Sequence, residues 1–308
     1  MKDGFLLIDK PAGFTSFDVI AKLRGILKQK KIGHGGTLDP NVTGVLPVFL
    51  GKATKAIDML ERHEKKYTAT FRLGIETDTQ DIWGSVIEEC EPVRDIEKIR
   101  ETVLSFKGKQ NQLPPMYSAI KINGVRLYDL ARQGEIVPRE SREIEIFDID
   151  FLGKTENEDE YKFSVYCSKG TYVRTLCADI GAALGCGGTM TSLVRTMALG
   201  FEKSECVSLD EVQKAADEGG VDSLIHPVKD LFESYPPIYL SEKQTKMYKN
   251  GVALDPRRVS GVIYDTAYIV AEWQKYSVFS DKNEFLGVGQ VKYPEREFRS
   301  LKLFFNEE

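Results

Sequence analysis

A mixed α+β fold built on a largely antiparallel sheet is the expectation for this chain, and three features set it. Tyr67, Ala69, Phe71 and Leu73 alternate with Thr68, Thr70 and Arg72, the period of a strand with one buried face. Ile144 to Phe151 and Tyr161 to Cys167 read as two further strands joined across the acidic turn Glu156 to Glu160, which makes them an antiparallel hairpin. Between and around these strands, apolar residues recur at helical spacing instead.

The first helix is capped by Thr15 or Ser16 and carries Val19, Ile20, Leu23, Ile26 and Leu27 on one side, with Asp18 in the favourable first turn. Its end runs into Lys28, Lys30 and Lys31. Asp95 to Phe106 reads as a second helix, with Ile96, Ile99, Val103 and Phe106 on one side. After Gly170 a short extended piece, TYVR, leads into a helix that ends at Gly185, Gly187 and Gly188. Ser208 and Glu211 have capping-box spacing for one more. At Tyr235 the character changes. Pro236 and Pro237 open a tail of aromatics and short alternating segments, Tyr268 to Trp273, Tyr276 to Phe279, Phe285 to Val291 and Leu301 to Phe305. The reading is two domains, 1–234 and a small β-rich 235–308, in keeping with a length of 308 residues.

A hydrophobic share of 42% beside 29% charged residues fits a soluble globular protein and excludes a disordered or collagen-like one. No apolar run approaches a membrane span, and MKDGFLLIDK lacks the apolar stretch of a signal peptide, so the expected location is cytoplasmic, with no membrane partner. Cys90, Cys167, Cys177, Cys186 and Cys206 form no CxxC pair and are odd in number, which suits free thiols. His34, His63 and His226 are far apart, so no metal site is expected. A formal net charge of −5 speaks against a polyanionic partner only if the charge is uniform. It is not: Lys10, Lys22, Arg24, Lys28, Lys30 and Lys31 cluster against Asp9 and Asp18, while acid gathers at Glu88, Glu89 and Glu91, in Glu156 to Glu160, and at Glu307 and Glu308. Charges act within about 8 Å at physiological salt, so a basic face on an acidic protein is compatible with RNA.

The chemistry-bearing stretch is GHGGTLDP, Gly33 to Pro40. Three glycines and a proline confine one imidazole, His34, and one carboxylate, Asp39, to a tight loop. Taken alone, Asp39 would merely close an Asx or type I turn before Pro40. The loop has neither the lysine and hydroxyl of a P-loop nor GxGxxG spacing.

Seven segments occur together in order: KPAGFTS (Lys10 to Ser16), GHGGTLDP, Tyr67 opening a strand that ends RLG, TDTQD (Thr77 to Asp81), QLPPMYSAIKINGVRLYDLARQG (Gln112 to Gly134), GTYVRTL (Gly170 to Leu176) and SLVRT (Ser192 to Thr196). In this combination the chain, from Lys10 to about Phe201, resembles the TruB-type tRNA pseudouridine synthases of bacteria. The resemblance implies isomerisation of a T-loop uridine of tRNA, at position 55, with the base flipped out, detached from its ribose, turned over and rejoined through carbon. Asp39 then carries the essential catalytic carboxylate. It can attack the anomeric carbon, add to the uracil ring or assist proton abstraction from the sugar; none of these needs a cofactor.

Arg174 matches the arginine that pairs with this aspartate, and Asp81 a second acid that orients the arginine; without Asp39 beside them the two would be an ordinary ion pair. Tyr67 would stack on the uracil or transfer a proton, as well as serving as core. Leu193 would close the other side of the base, although a helical leucine is commonly packing. His34 would fill the space left by the extruded nucleotide; a general-base role beside Asp39 is the alternative. The segment of about 108–134 resembles an RNA-gripping insertion, with Lys121 and Arg126 as contacts, and Arg139 and Arg142 downstream as further phosphate contacts. That insertion implies a stand-alone enzyme with no guide RNA, and a monomer is expected. The tail takes the place of a PUA-like β-barrel. A protein that grips and remodels tRNA without chemistry is the rival reading.

Overall fold

The structure, a computed structural model, describes residues 1–60, 63–118, 121–122, 124–127, 130, 137–262, 274–292 and 295–305. In chain order the strands are β1 (Gly4–Lys10), β2 (Ile32–His34), β3 (Thr43–Leu50), β4 (Lys65–Leu73), β5 (Ile75–Thr77), β6 (Val86–Glu89), β7 (Gly108–Gln112), β8 (Lys121–Ile122), β9 (Val125–Arg126), β10 (Arg142–Lys154), β11 (Glu160–Cys167), β12 (Gly188–Ala198), β13 (Phe201–Glu202), β14 (Pro237–Tyr239), β15 (Lys275–Phe279), β16 (Phe285–Lys292) and β17 (Glu297–Leu303). The α-helices are α1 (Ser16–Leu27), α2 (Ile96–Ser105), α3 (Val173–Leu184), α4 (Leu209–Asp217) and α5 (Glu242–Lys249).

A nine-stranded sheet organises the molecule. Its path is β1-β3-β12-β4-β11-β10-β7, with β2 beside β3 and β13 beside β12. Every pairing is antiparallel except β3 with β12. That parallel contact is very close: a Cβ on Gly44, whose φ is +104°, would stand 2.1 Å from the Arg195 carbonyl oxygen, so only glycine serves there. The alternation read in β4 is real, with Tyr67, Ala69, Phe71 and Leu73 all buried. The 144–167 hairpin is longer than expected and antiparallel. Of the expected insertion, Gly108–Gln112 is strand β7 of this sheet.

The helices lie where their apolar faces can be buried. Val19, Ile20 and Leu23 of α1 pack with Leu209 and Val212 of α4 against β1, β2 and β3. Each such fully buried side chain contributes about 1.5–3 kcal/mol. Thr15 caps α1 in a reciprocal capping box with Asp18, and Ser208 does the same with Glu211 at α4. α2 and α3 cover β4, β10, β11 and β12 through Ile99, Val103, Leu176 and Ile180. Ile96 is a correction: at the first turn of α2 it is 47% exposed, because Ile99 and Val103 already fill the face toward the sheet.

The tail forms a four-stranded sheet, β14-β15-β16-β17, over its own cluster of Ile238, Tyr248, Tyr276 and Phe298. It also shares a cluster with the rest of the chain, where Val288 and Phe304 pack with Phe5, Phe49 and Phe232. The expected strand at Tyr268 to Trp273 lies outside the described residues. All five cysteines are free. Among the described residues no helix is long and apolar enough to cross a membrane.

Candidate active site

His34 ends β2, and the chain then leaves the sheet at Gly35. The Val42 amide donates to the Asp39 carbonyl at 3.1 Å, so Asp39 and Pro40 do open a turn, as the simplest reading of an Asp-Pro pair expects. The turn holds the backbone and leaves the carboxylate free for other work. Two fully buried cations grip the loop from behind. Arg195, on β12, donates from Nε to the Val45 carbonyl (2.7 Å), from Nη2 to Gly36 (3.2 Å) and from Nη1 to Thr37 (3.4 Å). The Lys10 Nζ donates to the carbonyls of Pro11 and Pro40, both at 2.9 Å, and to that of Phe14. The Leu38 amide donates to the Ser16 hydroxyl at 2.9 Å. Charged donors aimed at buried carbonyls fix this backbone more firmly than neutral ones would.

Asp39 leaves that platform toward the first turn of α3. Arg174 Nη2 donates to Asp39 Oδ2 at 2.6 Å, and its Nη1 reaches Asp81 Oδ2 at 3.5 Å. Asp81 is itself fixed, accepting from the Thr79 hydroxyl at 2.7 Å and the Trp83 amide at 3.2 Å. The guanidinium side chain is only 7% exposed while that of Asp39 is 48% exposed, so the ion pair presents its carboxylate end outward. Crowding by surrounding protein pushes the Asp39 carboxyl above the usual carboxylate range; Arg174 and Lys10 oppose that push and Asp81 adds to it.

Asp39 opens onto a pocket of about 190 Å³. Tyr67, Leu38, Val42, Val173, Met190 and Leu193 supply its apolar wall, and Asp39, Arg174, Lys65 and Ser118 its polar groups. Tyr67 stands opposite Arg195 in the strand pairing, and that guanidinium partly offsets the burial of its hydroxyl. Burial drives its pKa up to about 12, so the phenol stays protonated at neutral pH. An apolar slot lined by an aromatic ring and a carboxylate suits a flat, neutral ring.

Asp39, Arg174, Asp81, Tyr67 and Leu193 are therefore brought together, and His34 is not among the residues that line the pocket. Among the described residues its buried Nδ1 has no hydrogen-bond partner, and burial, then Arg195, holds its pKa below the ordinary value. Lys121 and Arg126 face one another across the β8-β9 hairpin; their side chains lie outside the described residues.

Four readings are corrected. Arg174 is not in an extended piece but in α3, because Tyr172 is the N-cap, its amide and carbonyl both bound by the Gln112 side chain at 2.8 and 3.0 Å. Leu193 sits on a strand, not a helix. Lys10 is no part of a basic face, since three carbonyls have drawn it inside. Arg139 and Arg142 are committed within the protein, Arg139 to the Pro114 carbonyl at 3.0 Å and Arg142 to that of Gly170 while its guanidinium lies 4.8 Å from the Tyr172 ring centre. Sequence reasoning missed Arg195 and Lys65. Arg195 lies within the SLVRT segment already singled out, and Lys65 is two residues before Tyr67 on the same strand face, so each carried a signal that went unused.

Comparison with known proteins agrees with this geometry. Residues 24–173 match the model of the TruB family pseudouridylate synthase N-terminal domain, and residues 174–233 that of the tRNA pseudouridylate synthase B C-terminal domain. The chain is 41% identical over 304 residues to the tRNA pseudouridine synthase B of Clostridium kluyveri, covering 98% of this chain and 99% of that one. It is 43% identical over 309 residues to that of Clostridium perfringens strain 13, covering 99% and 100%. Among solved structures, a chain of a Cbf5-Nop10-Gar1 complex is similar with a TM-score of 0.70 at 25% identity, over 98% of this chain and 84% of that one. A chain of an H/ACA RNP bound to a substrate RNA containing 2'-deoxyuridine shares the fold with a TM-score of 0.69 at 24% identity, over 98% and 85%. The carboxylate loop, the arginine that holds it and the pocket wall all fall within the stretch covered by the two family models, and with relatives above 40% identity along the whole chain, this protein belongs to the TruB family of pseudouridylate synthases.

Proposed function

We propose that this chain converts a uridine of the tRNA T loop, at position 55, to pseudouridine. The bond between C1' and N1 breaks, the uracil turns over, C1' bonds to C5, and the C5 proton is lost while N1 gains one. The observation that carries the reading is the Asp39 carboxylate, held at 2.6 Å by Arg174, at the mouth of a pocket walled by Tyr67 and Leu193. Asp39 acts on the anomeric carbon, on the uracil ring, or in sugar deprotonation. In each case Arg174 maintains its charge and orientation, and Asp81 helps to fix the guanidinium. Tyr67 stacks on the flipped base, and its protonated phenol is a donor rather than a base in the free enzyme. Leu193 closes the slot, and His34 fills the gap left in the RNA.

Recognition is assigned to the segment of about 108–134 through Lys121 and Arg126, and to residues 235–308 as a PUA-like β-barrel beside a catalytic domain of 1–234. The protein is read as a cytoplasmic monomer, and action as a stand-alone enzyme without guide RNA follows from the insertion. It is supported by higher identity to relatives named tRNA pseudouridine synthase B, 41–43%, than to the chains of the guide-type complexes, 24–25%.

Unmodified tRNA transcript incubated with the protein, followed by chemical mapping of pseudouridine, tests the assignment. A single new pseudouridine in the T loop is expected. Tight binding with no pseudouridine would favour the tRNA-remodelling alternative.

A further inference from the structure

Among the described residues, the cations Arg174 and Lys65 line the pocket while Arg195, Lys10 and Arg142 bind the backbone around it, and four of these five are already engaged. Arg174 binds Asp39 and Asp81. Arg195 binds three carbonyls, and so does Lys10. Arg142 binds the Gly170 carbonyl and lies on Tyr172. The fifth is Lys65. It lines the pocket beside Tyr67, yet no hydrogen bond or ion pair engages its ammonium among the described residues.

Its surroundings make this costly. Lys65 is partly buried, and Arg195 and Arg142, both of the same sign, act on it electrostatically. Burial first, and Arg195 next, bring its pKa down to about 8, which still leaves it mainly protonated at neutral pH. An ammonium that is unpaired among the described residues, beside two other cations, creates a positive potential. Asp39 does not play that part, being paired at 2.6 Å with Arg174.

We propose that Lys65 is a phosphate-binding residue of this pocket, whose ammonium holds a phosphate adjoining the target nucleotide while Tyr67, two residues along the same face of β4, takes the base. The inference rests on the reading of the pocket as a site for a flipped uridine. A phosphate suits the position better than uracil, because the base is neutral and the apolar wall formed by Leu193, Met190 and Val42 already suits it. Lys65 would thus be a positioning residue, setting how deeply the nucleotide enters.

The test uses a T stem-loop RNA carrying one neutral methylphosphonate, either 5' or 3' of the target uridine, with wild type, Lys65→Met and Lys65→Arg. Affinity at several salt concentrations and single-turnover rate are both measured. For wild type, one of the two neutral linkages should weaken binding about tenfold. Lys65→Met should show that same loss on the natural RNA, a log-log salt slope smaller by about 0.7, and no further loss on the neutral-linkage RNA. Lys65→Arg should recover most of the affinity. Lys65→Met should also melt at or above the wild-type temperature, since it removes an unpaired, partly buried charge.

Losses that multiply when the variant meets the neutral linkage would overturn the proposal, as would unchanged binding by Lys65→Met. A lower melting temperature with linkage-independent loss would make Lys65 a structural residue instead. Because affinity reads Lys65 without turnover, wild type that binds normally but forms no pseudouridine would count against the assigned reaction and not against the phosphate contact.

Discussion

Replacing Arg174 separates orientation from charge at the centre of the site. Arg174→Lys keeps a positive charge but gives up the planar fork that spans Asp39 at 2.6 Å and Asp81 at 3.5 Å. A hydrogen bond to a charged group is worth about 1.5–3 kcal/mol. Since the Asp39 side chain is 48% exposed, solvent screening puts the loss near the lower end. About 1.5 kcal/mol corresponds to roughly a tenfold slower chemical step.

Arg174→Met adds an effect of definite sign. Burial already holds the Asp39 carboxyl above its ordinary range, and Arg174 is the largest influence opposing it. Without that influence the pKa climbs further, so less carboxylate is ionised at a given mildly acid pH. The acid limb of the rate profile moves to higher pH. For Arg174→Lys the limb should move little. Single-turnover release of tritium from RNA labelled at uracil C5, followed from acid to neutral pH, reads both effects, because that hydrogen leaves when C5 bonds to C1'. An Arg174→Met enzyme with the wild-type rate and acid limb would refute the role given to the ion pair.

Tyr67→Phe should keep RNA affinity near normal, whereas Tyr67→Ala should lose about 1–3 kcal/mol of stacking in a direct binding titration; equal losses would remove the ring from the base site. Arg195→Met should lower thermal stability by on the order of 3 kcal/mol, by leaving the Gly36, Thr37 and Val45 carbonyls unpaired; a calorimetric melt like wild type would show that the loop does not depend on it. The double variant Lys121→Ala, Arg126→Ala should flatten the salt dependence of tRNA binding by about one log-log unit or less per contact, with single-turnover chemistry at saturating RNA little changed. An unchanged slope would move the RNA grip to another surface.

Elements whose signals are local were legible in the sequence. α1 carries its capping box within four residues and its apolar stripe within the next twelve, and β4 keeps a clean alternation over its buried face. β12 does not, because its pairing with β4 shifts register between Met190 and Ser192 and again between Arg195 and Met197. Those irregularities break the period of two, so the stretch around Leu193 carries no clean strand pattern. Where α3 begins was hidden for another reason: the backbone of its N-cap is held by Gln112, 60 residues away. Lys10 and Arg195 illustrate the same limit, since a basic residue is ordinarily read as surface charge. Their acceptors are loop carbonyls that come together only when β1, β3 and β12 are assembled. The pocket groups quoted from motifs were found because those motifs mark a whole family; Lys65 lay beside one of them and had no separate mark.

The central claim is that the Asp39 carboxylate, and not the shape of its side chain, drives the reaction. Asp39→Asn tests it most directly, since the amide nearly matches the carboxylate in size and can still accept from Arg174. The measurement is the single-turnover rate of pseudouridine formation in tRNA at a concentration where wild type and variant are both saturated. The account predicts normal tRNA binding and melting with the rate reduced by at least about 4 kcal/mol of barrier, roughly a thousandfold or more. Pseudouridine formation by Asp39→Asn at close to the wild-type rate would contradict it.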